Sequence, residues 1–210
     1  MATKCVIFDM DGTLIDSARA ICETVNFIRE GNGLPPKSWQ EIIKIINDPT
    51  VNYLIELYGT DRVTTNMRRI FDEKFDENYA LYAELYPEAE EFTKALEARG
   101  LKLAVASNAP ESSLAPILAH CGVAERFGFL TGYGAQVPLK PDPTMLFLAR
   151  DWAQVALGEC VFVGDSAKDA LAARAARMNF LQVKWGRDDE IAGAKSAKTV
   201  AEALAILDEF

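Results

Sequence analysis

The first apolar run of the chain ends in two aspartates. Residues 5–8 are apolar, and Asp9-Met10-Asp11-Gly12-Thr13-Leu14 follows them directly. An apolar run bounded by turn residues predicts a buried strand, and in an open α/β sheet functional side chains follow the carboxyl ends of the strands. Residues two apart on an extended chain point to the same side, so Asp9 and Asp11 can face one centre. Two carboxylates this close need a cation between them, although Asp-Gly by itself is also typical of an ordinary turn.

Composition describes a chain with enough apolar residues for a sizeable core. Half of the 210 residues are hydrophobic, which suits one domain with an insertion or two small domains. The net charge of −9 argues against a nucleic-acid or anionic-membrane partner, because those call for a basic face. Overall acidity does not exclude a phosphate substrate, since a metal ion and a few cations decide binding at a site.

The cysteine spacing predicts reduced thiols, and no targeting segment is recognised in the sequence. The four cysteines are widely spaced and lack CxxC pairing, which argues against a zinc site or a disulfide framework. We find no signal peptide and no transmembrane span in the sequence. The expected location is the cytoplasm, and we expect a monomer or a homodimer.

Hydrophobic periodicity divides the chain into a helical insertion and an α/β core. Residues 38–85 show helical spacing with no convincing strand, and a helix is predicted at 17–30. From residue 86 onward helices alternate with short buried strands, as in a doubly wound sheet. Helices are predicted at 88–99, 111–121, 142–155, 167–177 and 200–207, and strands at 101–106, 129–131, 160–163 and 180–184. We therefore predict a core of residues 1–15 and 85–210 and an all-helical cap of residues 16–84.

Two polar motifs lie between the predicted strands and helices of this core. Ser107 and Asn108 directly follow the strand at 101–106, where a hydroxyl and nearby backbone N–H groups suit a phosphoryl oxygen. Lys140 stands between Leu139 and Pro141-Asp142-Pro143, whose prolines stiffen a loop that presents one ammonium group. Taken alone, either motif is also typical of a loop or of the solvated surface.

A second acidic motif follows the strand predicted at 160–163. Asp165 comes after Gly164, and Asp169 follows four residues later. Ser166 and Asp169 have the spacing of a capping box, which would fix Asp169 close to Asp165. A rigid pair of carboxylates is what an oxygen-coordinated magnesium site requires, so both roles are compatible.

These motifs together resemble those of the haloacid dehalogenase-like superfamily. Its motifs correspond to the DMDGTL string, Ser107-Asn108, Lys140-Pro141 and Gly164-Asp165, in this order, over residues 4 to about 185. The resemblance implies a Rossmann-like, mostly parallel sheet and an enzyme that transfers phosphoryl groups. The helical insertion is similar to the small cap of the phosphoglycolate phosphatase-like branch. Ala109 stands where that branch has a lysine, which leaves the substrate open.

The resemblance also implies a role for each motif residue. Asp9 would be the nucleophile that attacks phosphorus, and Asp11 the general acid and base, with a raised pKa. Mg²⁺ would be held by Asp9, the carbonyl of Asp11, Asp165 and Asp169, the last either directly or through water. The phosphoryl group would be bound by Thr13, Ser107, Asn108 and Lys140, of which Lys140 would also be a catalytic residue. Haloacid dehalogenases generally lack the second aspartate, so Asp11 favours phosphorus over carbon as the atom attacked.

The resulting hypothesis is a magnesium-dependent phosphatase for a small phosphomonoester, phosphoglycolate-like or sugar-phosphate-like, acting through an aspartyl phosphate. One alternative is a sugar phosphomutase. Another is carbon–phosphorus cleavage similar to that of phosphonoacetaldehyde hydrolase, which needs a cap lysine to form a Schiff base, and Lys37 and Lys44 are available. A third is a non-catalytic binding module.

Overall fold

The apolar run at the start of the chain forms the first strand of a parallel sheet. The computed structural model describes residues 2–186 and 189–210. Its strands are β1 (Cys5–Phe8), β2 (Ile15–Asp16), β3 (Glu84–Leu85), β4 (Lys102–Pro110), β5 (Phe129–Tyr133), β6 (Cys160–Gly164), β7 (Asn179–Val183) and β8 (Lys195–Ala197). Six of them form one sheet in the order β5-β4-β1-β6-β7-β8, and every pairing in it is parallel. β2 and β3 form a separate two-stranded pair.

Nine α-helices are present in the described residues. They are α1 (Ala18–Gly31), α2 (Trp39–Asn47), α3 (Tyr53–Tyr58), α4 (Thr65–Tyr82), α5 (Pro87–Ala98), α6 (Glu111–His120), α7 (Thr144–Ala153), α8 (Ala167–Ala176) and α9 (Val200–Asp208). Within the described residues, none of these helices combines the length and the apolar character that a membrane crossing needs.

The chain divides into two compact units. Unit 1 contains the residues up to Asp16 together with Leu85–Phe210, and unit 2 is Ser17–Glu84. Unit 2 is built from α1 to α4, and its apolar contacts form two clusters, one around Ile42 and Leu57 and one around Met67 and Ile70. The function of unit 2 as a cap stays a prediction.

Helices cover both faces of the sheet in unit 1. On one face, α7 and α8 contribute Met145, Leu146 and Ala172 to a buried cluster with Ile7 and Phe162 of the sheet. On the other face, Phe92 of α5 meets Phe8 edge to face, with ring centroids 5.9 Å apart. This double coverage explains why the central strands are almost entirely apolar, and it confirms the predicted doubly wound α/β fold.

The strand order places a topological switch point between β1 and β6. The chain leaves β1 toward β4 and β5 on one side, and later leaves β6 toward β7 and β8 on the other side. In such sheets ligands bind at the carboxyl edge next to the switch point. Asp9 and Asp165 directly follow these two strands.

The observed elements differ from the predicted ones mainly at their ends. β8 was not predicted, because Lys195-Ser196-Ala197 at the edge of the sheet lacks an apolar run. The predicted strand-free segment 38–85 ends in β3, which is two residues long. α7 begins at Thr144 rather than at residue 142, because the Asp142 carboxylate accepts hydrogen bonds from the backbone N–H and the hydroxyl of Thr144.

Candidate active site

Lys140 and three aspartates form a buried cluster at the carboxyl edge of the sheet. The ammonium of Lys140 donates to Oδ1 of Asp9 at 2.5 Å and to Oδ1 of Asp169 at 2.7 Å. The exposed fractions are 3% for Lys140, 6% for Asp9, 5% for Asp165 and 1% for Asp169. Long charged side chains are almost never this buried unless they are paired, so the cluster is a built site rather than surface.

The three carboxylates are close enough to share one cation. Oxygens of Asp9, Asp165 and Asp169 all lie within 4.8 Å of one another. Carboxylate oxygens are the ligands that Mg²⁺ prefers, and three buried negative charges exceed the one positive charge of Lys140. The residues present therefore fit a divalent, oxygen-coordinated ion.

The electrostatics of the cluster reflect this excess of negative charge. Burial is the largest cause that raises the pKa of Asp9 well above its usual range, and repulsion from Asp169, Asp165 and Asp11 adds to it, while Lys140 opposes it. For Lys140, burial alone favours the neutral amine, but Asp169 and Asp9 outweigh it and raise the pKa of the ammonium. Lys140 is therefore held in its charged form.

A tight turn after β1 brings Asp11 to the same site. The backbone N–H of Gly12 donates to the carbonyl of Ile15 at 2.8 Å, and Asp11 forms an isolated bridge with Ile15. Gly12 has a φ of +81°, and a Cβ there would lie 2.6 Å from Oδ2 of Asp165. Only glycine combines this backbone conformation with such a close approach to a carboxylate. The turn and Asp165 are thus in direct contact.

Asp169 holds the cluster and caps a helix with the same carboxylate. Its Oδ2 accepts from the hydroxyl of Ser166 at 2.6 Å and from the backbone N–H of Ser166 at 3.1 Å, while its Oδ1 accepts from Lys140. The hydroxyl of Ser166 accepts in turn from the backbone N–H of Asp169. The capping box at the start of α8 therefore fixes the carboxylate that meets Lys140.

The remaining predicted phosphate ligands have different surroundings. Ser107 is fully buried within β4, and its hydroxyl accepts from the backbone N–H of Ala109 at 3.1 Å. The side-chain amide of Asn108 is bonded to the backbone of Lys140. The hydroxyl of Thr13 is buried and has no hydrogen-bond partner among residues 2–186 and 189–210. Whether these three residues bind phosphate stays a prediction.

Two further residues support the site and were not predicted to do so. The indole of Trp185 donates to the carbonyl of Thr13 at 2.8 Å and so holds the turn that carries Asp11. Gly164 allows the backbone before Asp165 to approach Asp169, because a Cβ there would lie 2.6 Å from that of Asp169. A glycine at a strand end just before an acidic residue was the available signal for the second role.

Comparison with known proteins gives one matching family model and several similar phosphatases. The sequence model of the haloacid dehalogenase-like hydrolase family matches residues 3–177. A phosphoglycolate phosphatase of Xanthomonas campestris pv. campestris is 30% identical over 185 residues, covering 87% of this chain and 84% of that protein. An N-acetylmuramic acid 6-phosphate phosphatase of Pseudomonas aeruginosa is 29% identical over 189 residues, covering 89% and 84%.

A solved structure shares the fold over its whole length. The crystal structure of a predicted phosphatase from Clostridium acetobutylicum superposes with a TM-score of 0.87, covers 100% of both chains and is 21% identical. At that identity the likeness concerns the fold alone. The match over residues 3–177, together with the 30% identical relative, confirms the predicted resemblance. The chain belongs to the haloacid dehalogenase-like hydrolase family.

Proposed function

We propose that this protein is a magnesium-dependent phosphatase that hydrolyses a small phosphomonoester through an aspartyl phosphate on Asp9. The observation that carries the proposal is the buried ion-paired cluster of Asp9, Lys140 and Asp169, with Asp165 beside it. A carboxylate held by an ammonium at a switch point suits a fixed nucleophile, because a preorganised group needs no reorganisation when the reaction begins.

In the proposed mechanism, one carboxylate forms the covalent bond and another moves the proton. An oxygen of Asp9 attacks phosphorus, the bond from phosphorus to the substrate oxygen breaks, and Asp11 donates a proton to that leaving oxygen. Asp11 then takes a proton from a water molecule, whose oxygen attacks the aspartyl phosphate and releases phosphate and free Asp9. Proton transfer of this kind contributes about 10² to 10⁴ in rate. Lys140 holds Asp9 in place and offsets negative charge that develops on the phosphoryl oxygens.

The carboxylate cluster would supply the ligands for the metal. Asp9, Asp165 and Asp169 would hold Mg²⁺ together with the carbonyl of Asp11, and the bound ion would offset the repulsion between the Asp9 carboxylate and a phosphate dianion. Support for this choice comes from the all-oxygen donor set and from the excess of buried negative charge around Lys140.

The substrate we propose is a small phosphorylated metabolite, phosphoglycolate-like or sugar-phosphate-like. The names of the two relatives support this class, because one is a phosphoglycolate phosphatase and the other acts on a sugar 6-phosphate. Unit 2 is proposed to select the substrate, that is, whether the alcohol that leaves is a hydroxy acid or a sugar. A screen of phosphorylated metabolites, scored by the release of inorganic phosphate, would identify the substrate.

The central test replaces the nucleophile with its isosteric amide. We expect Asp9→Asn to reduce the hydrolysis of p-nitrophenyl phosphate in the presence of Mg²⁺ by at least about a thousandfold, since the amide cannot attack phosphorus. Circular dichroism would check that the fold is retained. The matched control is Asp208→Asn, at the end of α9 and ion-paired with Arg99, which should leave turnover unchanged. Undiminished turnover in Asp9→Asn would contradict the mechanism.

The same preparation separates hydrolysis from the two alternative reactions. A phosphomutase would convert a sugar phosphate into its isomer with little release of inorganic phosphate. A Schiff-base mechanism would leave Lys37 or Lys44 covalently trapped after borohydride treatment with an aldehyde substrate. Phosphate release without trapping would favour the phosphatase.

A further inference from the structure

The side chain of Asn108 is hydrogen-bonded to the backbone of Lys140, which belongs to the next motif along the chain. Oδ1 of Asn108 accepts from the backbone N–H of Lys140 at 2.7 Å, and its Nδ2 donates to the backbone carbonyl of Lys140 at 3.2 Å. The side-chain oxygen and nitrogen of Asn108 thus bind both backbone polar groups of Lys140, which lies 32 positions away in the chain.

We propose that Asn108 is a positioning residue that fixes Lys140, and through it the carboxylate of Asp9, and that it is not a ligand of the phosphoryl group. The proposal rests on the proposed function, in which Asp9 is the nucleophile. It assigns to Asn108 a role different from the one predicted from the sequence.

The need for such a residue follows from where Lys140 lies. Lys140 is in the loop between β5 and α7, whereas Asn108 is part of β4, one residue after the regular pair of Ser107 with β5; β4 also pairs with β1 over residues 102–105. A loop backbone is positioned less firmly than a strand in the middle of a sheet. The amide of Asn108 therefore ties the loop backbone to the same sheet that carries Asp9.

Because the lysine side chain is long and flexible, the position of its ammonium depends on how firmly the backbone of Lys140 is held. Four methylene groups separate the backbone of Lys140 from its ammonium, which must meet two buried carboxylates at 2.5 and 2.7 Å. The ring of Phe162, 5.2 Å from the ammonium, lines the path of the side chain. If the backbone moves, the ammonium can no longer satisfy both Asp9 and Asp169. A misplacement of about 1 Å can cost about a hundredfold in rate.

The first measurement is kinetic, on wild type and Asn108→Ala in the presence of Mg²⁺. We expect kcat for p-nitrophenyl phosphate to fall about tenfold to a hundredfold, with KM changed less than about twofold, because the misplaced Asp9 carboxylate and Lys140 ammonium act mainly in the transition state. Asn179→Ala, at the amino end of β7, two strands from β1, is the matched control and should retain wild-type kinetics. A rise in KM equal to the loss in kcat/KM, with kcat unchanged, would overturn the proposal.

A double-mutant cycle shows whether Asn108 acts through Lys140. In a Lys140→Ala background, adding Asn108→Ala should change kcat/KM and the Kd of inorganic phosphate by less than about twofold, because the lysine side chain that Asn108 positions is already absent. The Kd is measured by calorimetry, so the cycle closes even where turnover is too slow to follow. A second loss as large as the first would mean that Asn108 acts on the substrate directly, which would overturn the proposal.

Hydrogen exchange tests the tie itself, independently of any activity. In protein labelled with ¹⁵N-lysine, the amide of Lys140 should exchange at least about tenfold faster in Asn108→Ala than in wild type. Asn108→Asp keeps the acceptor oxygen, so its exchange rate should stay within about threefold of wild type. Unchanged protection in Asn108→Ala would overturn the proposal. If wild type lacks phosphatase activity but the exchange result holds, the proposed function fails and the positioning of Lys140 stands.

Discussion

At the scale of single residues, the site depends on close approaches that leave no room for substitution. Gly12 lies against the carboxylate of Asp165, and its backbone is in the left-handed region. Asp169 uses one oxygen for Lys140 and the other for Ser166. Gly12 and Asp169 each have a local structural role and also contact the site. A substitution at either residue therefore also affects the position of a proposed catalytic group.

Replacing Gly12 separates backbone strain from contact with the site. We expect Gly12→Ala and Gly122→Ala each to lower the free energy of unfolding by about 1–2 kcal/mol, because an alanine is strained at φ of +81° and +73°. Gly122 has nothing within 4 Å of an added Cβ, whereas at Gly12 that atom would meet Asp165. Only Gly12→Ala should therefore also lose turnover, by at least about tenfold. Denaturant unfolding and steady-state kinetics measure the two effects, and equal activity in both variants would contradict the role of this contact.

At the scale of elements, helix starts and strand ends supply the chemistry. Asp9 directly follows β1, Asp165 directly follows β6, and α8 begins with the capping box of Ser166 and Asp169. The sequence is compatible with two roles of Asp169, as a cap and as part of the acidic pair. The structure places both on one carboxylate, which makes the cap a support for the site.

A pair of capping variants tests this connection. Ser166→Ala and Thr199→Ala each remove the hydroxyl of a capping box, and each should cost about 0.5–2 kcal/mol of stability. Ser166→Ala should also lower kcat/KM about tenfold to a hundredfold, because it removes the shorter of the two hydrogen bonds that Ser166 donates to the Asp169 carboxylate. Thr199 caps α9, which follows β8, three strands from β1, so its variant should keep full activity. Equal activity in the two variants would show that capping and catalysis are separate.

At the scale of the whole molecule, the fold brings together charges that are costly to bury. Lys140 lies 131 positions from Asp9 and 29 from Asp169, yet one ammonium meets both carboxylates. Burial of several carboxylates around one lysine raises the pKa of Asp9 and opposes folding of unit 1. A cation that binds only the folded cluster should relieve this cost and stabilise the protein.

Thermal unfolding with and without Mg²⁺ tests the proposed metal site. At about a hundred times its Kd, Mg²⁺ should stabilise the folded state by about 2.7 kcal/mol, which corresponds to a rise in Tm of about 5 to 10 °C for a chain of this size. Calorimetry in MgCl₂, compared with EDTA at equal ionic strength, measures the shift. Asp165→Asn removes one proposed ligand and should abolish most of it. The same shift in this variant would place the metal elsewhere.

Much of the fold could be predicted because its signals are local. The apolar runs of β1, β4, β6 and β7 and the helical spacing of unit 2 are visible over short windows of sequence. β8 was missed because an edge strand needs few apolar residues, and the start of α7 shifted because of one side chain, Asp142. Secondary structure set by neighbouring residues was therefore predictable, whereas strand pairing at the edge was not.

The candidate site also has a part that could be predicted from the sequence and a part that could not. The sequence by itself determined which residue types were available, two acidic motifs and a lysine between prolines, and with the family resemblance it identified Asp9, Asp11, Lys140, Asp165 and Asp169 as the candidates. Only the tertiary structure decided how they meet: that Lys140 bridges Asp9 and Asp169, that Trp185 holds the turn after Asp11, and that the Asn108 amide binds the backbone of Lys140. The physical reason is that strand order and loop geometry set these distances, and neither is encoded in any one stretch of the chain.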